Sequence, residues 1–174
     1  MDGYDSNNKK ALTHVFKLSD LPEERYGDGG GLKLVTKANF PILKGIALFW
    51  VNLDSDGLAL PHWHPNSDEL AYCVTGKGKM TIVSPHNEKE TKEFEAGDML
   101  FFPRGYFHYI ESIGQERLQF LAIFNDESPE YMGMVSALAG MPDDVLGNSF
   151  RVPTEVFKNF QKQDTIVTKK TNKK

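Results

Sequence analysis

A chain of 174 residues with 40% hydrophobic and 25% charged content has room for one domain with a sizeable core, and its composition excludes a disordered or membrane-embedded class. A net charge of −4 and a pI near 5.7 give no broad electrostatic reason to bind nucleic acid. The single Cys73 excludes an internal disulfide framework, and no apolar window approaches the length of a membrane span.

Residues 1–10 are polar and lack the apolar core of a secretion signal, so the cytoplasm is the expected compartment, with secretion if a leader has been removed. They belong to an N-terminal arm over residues 1–30, whose glycine-rich end (residues 27–31) reads as a flexible connection. Runs 32–36, 46–53, 69–75, 78–83, 99–102, 106–112 and 117–124 are rich in Val, Ile, Phe and Tyr, and Gly, Asp and Pro separate them. Short strands punctuated in this way predict an all-β antiparallel sandwich or barrel over residues 31–125. With no internal repeat, one barrel is expected.

After Phe124 the character changes. Residues 129–139, 142–147 and 153–161 each open on Pro and read as short helices, forming a C-terminal helical extension over residues 126–160. Helices this short must pack on the barrel or on a partner subunit. Residues 161–174 are polar and basic and read as a disordered tail.

Chemistry concentrates in two stretches. In the first, Gly57 is followed by His62, His64, Glu69 and Gly76; side chains two apart on a strand share a face, so His62 and His64 point together. A hairpin at residues 65–67 then brings Glu69 in at the start of the next strand. In the second, Gly97, Pro103, Arg104 and Gly105 lead into a strand carrying His108. Three imidazoles and one carboxylate converging inside a barrel suit Mn2+, Fe2+ or Zn2+ and lack the thiolates of a structural zinc site. His14 and His86, in polar surroundings, read as surface residues. Alternation places Ala71, Cys73, Tyr106 and Ile110 inside, turns Trp63 away from the metal, and brings Phe49 and Val51 to the cavity mouth. Cys73 reads as a small buried hydrophobe rather than a metal neighbour.

Both stretches resemble the two motifs of the cupin superfamily, G-x5-H-x-H-x3-4-E-x6-G and G-x5-P-x-G-x2-H-x3-N. The first is one residue short between Gly57 and His62, and the second ends on Ser112 in place of Asn. The resemblance implies a double-stranded β-helix, the cupin jelly-roll barrel with short C-terminal α-helices, with His62, His64, Glu69 and His108 as metal ligands. Pro61-His-Trp-His-Pro-Asn-Ser-Asp-Glu69 is similar to the germin and oxalate decarboxylase branch. That branch implies manganese, a small anionic substrate such as oxalate, dioxygen as a co-substrate, and a homo-oligomer (dimer or trimer of dimers). The expected interface is on the C-terminal helices, through Tyr131, Met132, Val135, Leu138, Val145, Phe157 and Phe160.

Two features depart from the oxalate-handling members. Their substrate-contacting Arg or Asn, three residues before the first ligand His, is Ala59 here. Their acidic lid is shortened to residues 126–130, where Glu127 and Glu130 are the candidate catalytic proton donors. A germin-like superoxide dismutase and a non-catalytic small-ligand-binding cupin are the alternative activities.

Overall fold

The computed structural model describes residues 13–24, 26–158 and 165–170. Eleven strands form among them: β1 (Gly30–Val35), β2 (Ala47–Leu53), β3 (Gly57–Trp63), β4 (Glu69–Thr75), β5 (Lys77–Val83), β6 (Lys89–Glu95), β7 (Met99–Phe102), β8 (Phe107–Ser112), β9 (Leu118–Phe124), β10 (Met132–Gly133) and β11 (Val167–Lys169). One sheet runs β1-β2-β9-β4-β7 and the other β10-β3-β8-β5-β6, with β11 also paired to β3. Every pairing is antiparallel, and the two inner faces enclose one core, the jelly-roll barrel expected from the sequence.

Strand alternation builds that core. In β9, Leu118, Phe120, Ala122 and Phe124 are buried while the residues between them are half-buried. In register with Phe124 lie Ala47 on one side and Glu69, then Phe102, on the other. The next layer aligns Phe49, Ala122, Ala71 and Leu100. Full burial of such side chains contributes roughly 1.5–3 kcal/mol each.

Several elements differ from the sequence reading. The chain turns after His64, but β3 and β4 lie in different sheets, so residues 65–67 carry it across the barrel rather than around a hairpin. Strand β6 escapes hydrophobic patterning because it is a charged edge strand that buries only Phe94. Residues 29–31 are packed rather than flexible. A side chain on Gly29 would meet the Thr168 carbonyl at 2.1 Å, so glycine is what lets β11 approach.

Part of the expected disordered tail is ordered: β11 pairs with residues 57–59 of β3 and buries Val167 completely. The first expected helix shortens to α1 (Met134–Ala139), because Met132 and Gly133 pair with Trp63 and His62 instead. A second helix, α2 (Asp143–Phe150), starts after Pro142 as expected, and Thr154–Phe157 form a single 3-10 turn. Of the expected interface residues, Phe157 is buried, Met132 and Val145 are exposed, and Phe160 lies outside the described residues. Among the described residues no helix is long and apolar enough to cross a membrane.

Candidate metal centre

Strand β3 starts with Gly57 and Ala59 facing inward, a parity that would turn His62 outward. The register with β8 shifts between Ala59 and His62, and this bulge resets the parity so that His62 faces in opposite His108. The irregular step contains Pro61, which has no N–H to lose from a ladder. The Leu60 N–H donates to the Ile166 carbonyl at 2.8 Å, and the Leu60 carbonyl lies 2.7 Å from His62 Nδ1.

The other two imidazoles are held in the same way. His64 Nδ1 is 2.6 Å from the Glu130 carbonyl, and His108 Nδ1 is 3.0 Å from the Tyr106 carbonyl. A carbonyl only accepts, so each Nδ1 carries the proton and each Nε2 presents a lone pair. An aromatic ring fixes each imidazole plane as well. Tyr131 stacks on His62 at 4.7 Å, Phe102 stacks on His108 at 4.2 Å, and Phe124 meets His64 edge-on at 4.8 Å.

Glu69, at the start of β4 in the opposite sheet, completes the group. Its Oε2 is 3.2 Å from His64 Nε2 and 3.3 Å from His108 Nε2. One potential ligand atom from each of the four residues lies within 4.8 Å of the others, and all four residues are buried. Burial alone would push the Glu69 carboxyl up; positive charge at its His108 and His64 neighbours, whether a proton on Nε2 or a bound cation, more than offsets that and holds it well below the usual carboxylate range. Burial first, then the neighbouring His108 and His64, pushes His62 well below its ordinary value, so it stays a neutral ring.

His108 Nε2 is fully buried without a hydrogen-bond partner, its contact with Glu69 being close but not aligned as a hydrogen bond. A buried lone pair beside a carboxylate oxygen is costly unless a cation sits between them. Three neutral imidazoles tied back through Nδ1 and one ionised carboxylate fit a divalent ion.

Loops lock this arrangement. The turn from Pro103 to Tyr106 puts Gly105 at φ 79°, where glycine is favoured, and its N–H donates to the His64 carbonyl at 2.9 Å. Asp68 accepts from the Arg104 N–H at 2.8 Å and from Asn125 Nδ2 at 2.7 Å, while Asn125 Oδ1 accepts from the Asp68 N–H at 2.8 Å. Asn66 Oδ1 accepts from the Glu130 N–H at 2.8 Å, positioning the carbonyl that orients His64.

The two candidate proton donors lie outside this cluster. Glu127 pairs with Lys37 and accepts from the Gly45 N–H at 2.6 Å, and Glu130 is exposed, serving the site through its backbone alone. His14 and His86 are exposed, as expected.

A cavity of about 190 Å³ runs from the four residues into the barrel, lined by Leu34, Phe49, Val51, Ala59, Ile110 and Phe120 among others. Phe49 and Val51, expected at the cavity mouth, are part of its inner wall. Trp63 points away, toward Phe107, and Cys73 is buried in the core without reaching the cavity. Tyr106, expected inside, does not line it; it precedes β8 and so lies outside that strand's alternation. Sequence reasoning missed the three aromatic supports and the Asp68–Asn125 pair. For Phe102 and Phe124, their alignment with Glu69 was the available signal.

The cupin family profile matches residues 17–158. The chain belongs to the cupin family. A probable oxalate decarboxylase of Arthroderma benhamiae is 31% identical to this cupin over 157 residues, covering 89% of this chain and 39% of that protein. Germin-like protein 3-7 of Oryza sativa subsp. japonica is 31% identical over 136 residues, covering 75% and 58%. A solved structure of Bacillus subtilis oxalate decarboxylase, studied for its Mn(II) centres, superposes with a TM-score of 0.81 at 30% identity, covering 88% of this chain and 40% of that one. The cupin thus spans about two fifths of the length of these decarboxylase relatives.

Proposed function

We propose that this cupin binds one divalent metal, Mn2+ by preference, on His62, His64, Glu69 and His108, and that a small carboxylate ligand is handled there. The observation that carries the reading is the tautomer lock: three buried imidazoles, each with Nδ1–H given to a backbone carbonyl, turn Nε2 toward one another and Glu69. The Mn(II) centres of the Bacillus subtilis relative support manganese over Fe2+ and Zn2+. When bound, the ion supplies an electrophilic and redox-capable centre.

The chain's own residues set the surroundings. Three neutral imidazoles and one carboxylate leave a dication with net positive charge, in a cavity whose remaining lining, among the described residues, carries no charged side chain. A carboxylate is the ligand class that such a site attracts. The rings of Tyr131 and Phe102, stacked, and of Phe124, edge-on, keep the imidazoles oriented and exclude water from behind them.

We also propose self-association. The outer face of β4 and β7 exposes Tyr72, Met99 and Phe101, where an antiparallel sheet facing water is ordinarily polar.

Elemental analysis and electron paramagnetic resonance of protein loaded with Mn2+ test the metal reading. One ion per chain is expected, and Glu69→Gln should weaken its affinity by about 100-fold or more, beyond the usual loss on removing an outer-shell partner. Equal Mn2+ uptake by wild type and Glu69→Gln, or none by either, would overturn it.

A further inference from the structure

The cavity behind the four ligand residues has a chemistry of its own. Going inward from the cross-strand pair His62–His108, the next layer pairs Ala59 with Ile110 in one sheet, and aligns Leu34, Phe49 and Ala122 in the other. The layer after that carries Leu32, Val51 and Phe120, and Ile166 and Val167 add further apolar wall. Ala59 and Ala122 are the small residues of this chamber; each withholds the bulk that would fill the space behind the ligands. No ammonium, guanidinium or side-chain amide lines the cavity among the described residues. Of its two phenols, Tyr26 gives its hydroxyl to Glu24, while Tyr131 lays its ring against His62 and keeps its hydroxyl buried.

An oxalate dianion fits this chamber poorly. Bound to an ion through one oxygen of each carboxylate, it would leave two charged distal oxygens in a wall where, among the described residues, two phenols are the donor-bearing side chains apart from the cluster itself, and a buried anion short of donors is costly. A 2-oxo or 2-hydroxy acid presents the same pair of metal-binding oxygens, leaves one distal oxygen, and directs carbon at the wall. The volume also has the right scale: about 190 Å³ here, against roughly 150 Å³ for an apolar protein cavity that stays dry and takes up benzene.

We propose that the ligand of this centre is an amphiphilic carboxylate: a 2-oxo or 2-hydroxy acid whose head meets the metal and whose apolar tail of about four to six carbons fills the chamber. This inference rests on the metal-centre reading above and goes beyond it in naming the tail. Ala59 and Ala122 then determine specificity by leaving space.

Calorimetric titration of Mn2+-loaded protein with oxalate, pyruvate, 2-oxobutyrate and 2-oxohexanoate tests it, with metal content measured on the same samples. Affinity should rise by about fourfold per methylene until the chamber is full, making 2-oxohexanoate bind about tenfold or more tighter than 2-oxobutyrate. Oxalate should bind more weakly than 2-oxohexanoate. Ala122→Leu should abolish the dependence on tail length while the ion is retained, and Val51→Phe, one layer deeper, should shorten the optimal tail. A metal-loaded protein with affinity flat along the series, or with oxalate the tightest ligand, overturns the inference and leaves the metal centre standing. A protein that takes up no metal overturns both.

Discussion

Replacing Asp68 by Ala probes the interlock that holds the ligand loops, without touching a ligand. The carboxylate accepts two hydrogen bonds, from the Arg104 N–H at 2.8 Å and from Asn125 Nδ2 at 2.7 Å. Hydrogen bonds to a charged group contribute about 1.5–3 kcal/mol each when sheltered, but Asp68 is only half-buried and water partly replaces its partners. The expected loss for the pair is about 1–3 kcal/mol. The Arg104–Gly105 turn also carries the N–H that meets the His64 carbonyl, so metal affinity should fall about 10-fold or more. Urea unfolding of metal-free protein reads the first effect, and competition with a chelator reads the second.

The same carboxylate makes a pH prediction. The Arg104 amide, then Asn125, holds Asp68 below its ordinary value in the folded state. In the unfolded chain an Asp titrates near ~3.9, so its contribution is complete above that pH and is lost as pH falls through the lower native value. The stability gap between wild type and Asp68→Ala should therefore narrow below about pH 4. A gap constant from neutral pH into acid, or an unchanged metal affinity, would refute the interlock.

Other expectations follow from single features. Val167→Ala should cost about 2 kcal/mol in urea unfolding, because Val167 is fully buried under β3 and a large-to-small change leaves a cavity; a disordered tail would give no change. Burial, with Asp98 and Glu95 nearby, pushes the Cys73 thiol up, so a thiol reagent at pH 8 should label the chain only after denaturation. Rapid labelling of the native protein would contradict its place in the core. Light scattering after size exclusion should give at least a dimer, and a 19.6 kDa particle would remove the case for the β4–β7 face.

The strands that bury alternate residues, β9 above all, were legible because every second residue is large and apolar. The four residues of the buried cluster were legible because their spacing is local, within two short stretches. The bulge at Leu60–Pro61 was not read. Simple alternation gave the right partnership of His62 and His64, but it could not have placed Ala59 on the same face, since the extra residue is visible only against the register of β8. Strand β6 and strand β11 were missed for opposite reasons. The first is charged because it is an edge, and the second is short and polar in composition yet buries one Val against β3. Glu127 and Glu130 were chosen by position in a loop, which fixes neither direction nor partner; Lys37, far away in sequence, claims the first.

The division between legible and hidden has a chemical counterpart. What a metal needs is a set of donor atoms that two short segments supply, whereas what a substrate meets is a wall assembled from β1, β2, β3, β8, β9 and β11 in register. One methylene on that wall changes transfer free energy by about 0.8 kcal/mol without altering any donor. Two cupins can therefore share the ligand set and differ in substrate through residues such as Ala59 and Ala122. The chain is 31% identical to a probable oxalate decarboxylase, and under the proposal above it is the wall rather than the donor set that decides the ligand. Under the proposal above, a cavity with one cation site and a wall that is largely apolar selects for a ligand that is itself divided in the same way.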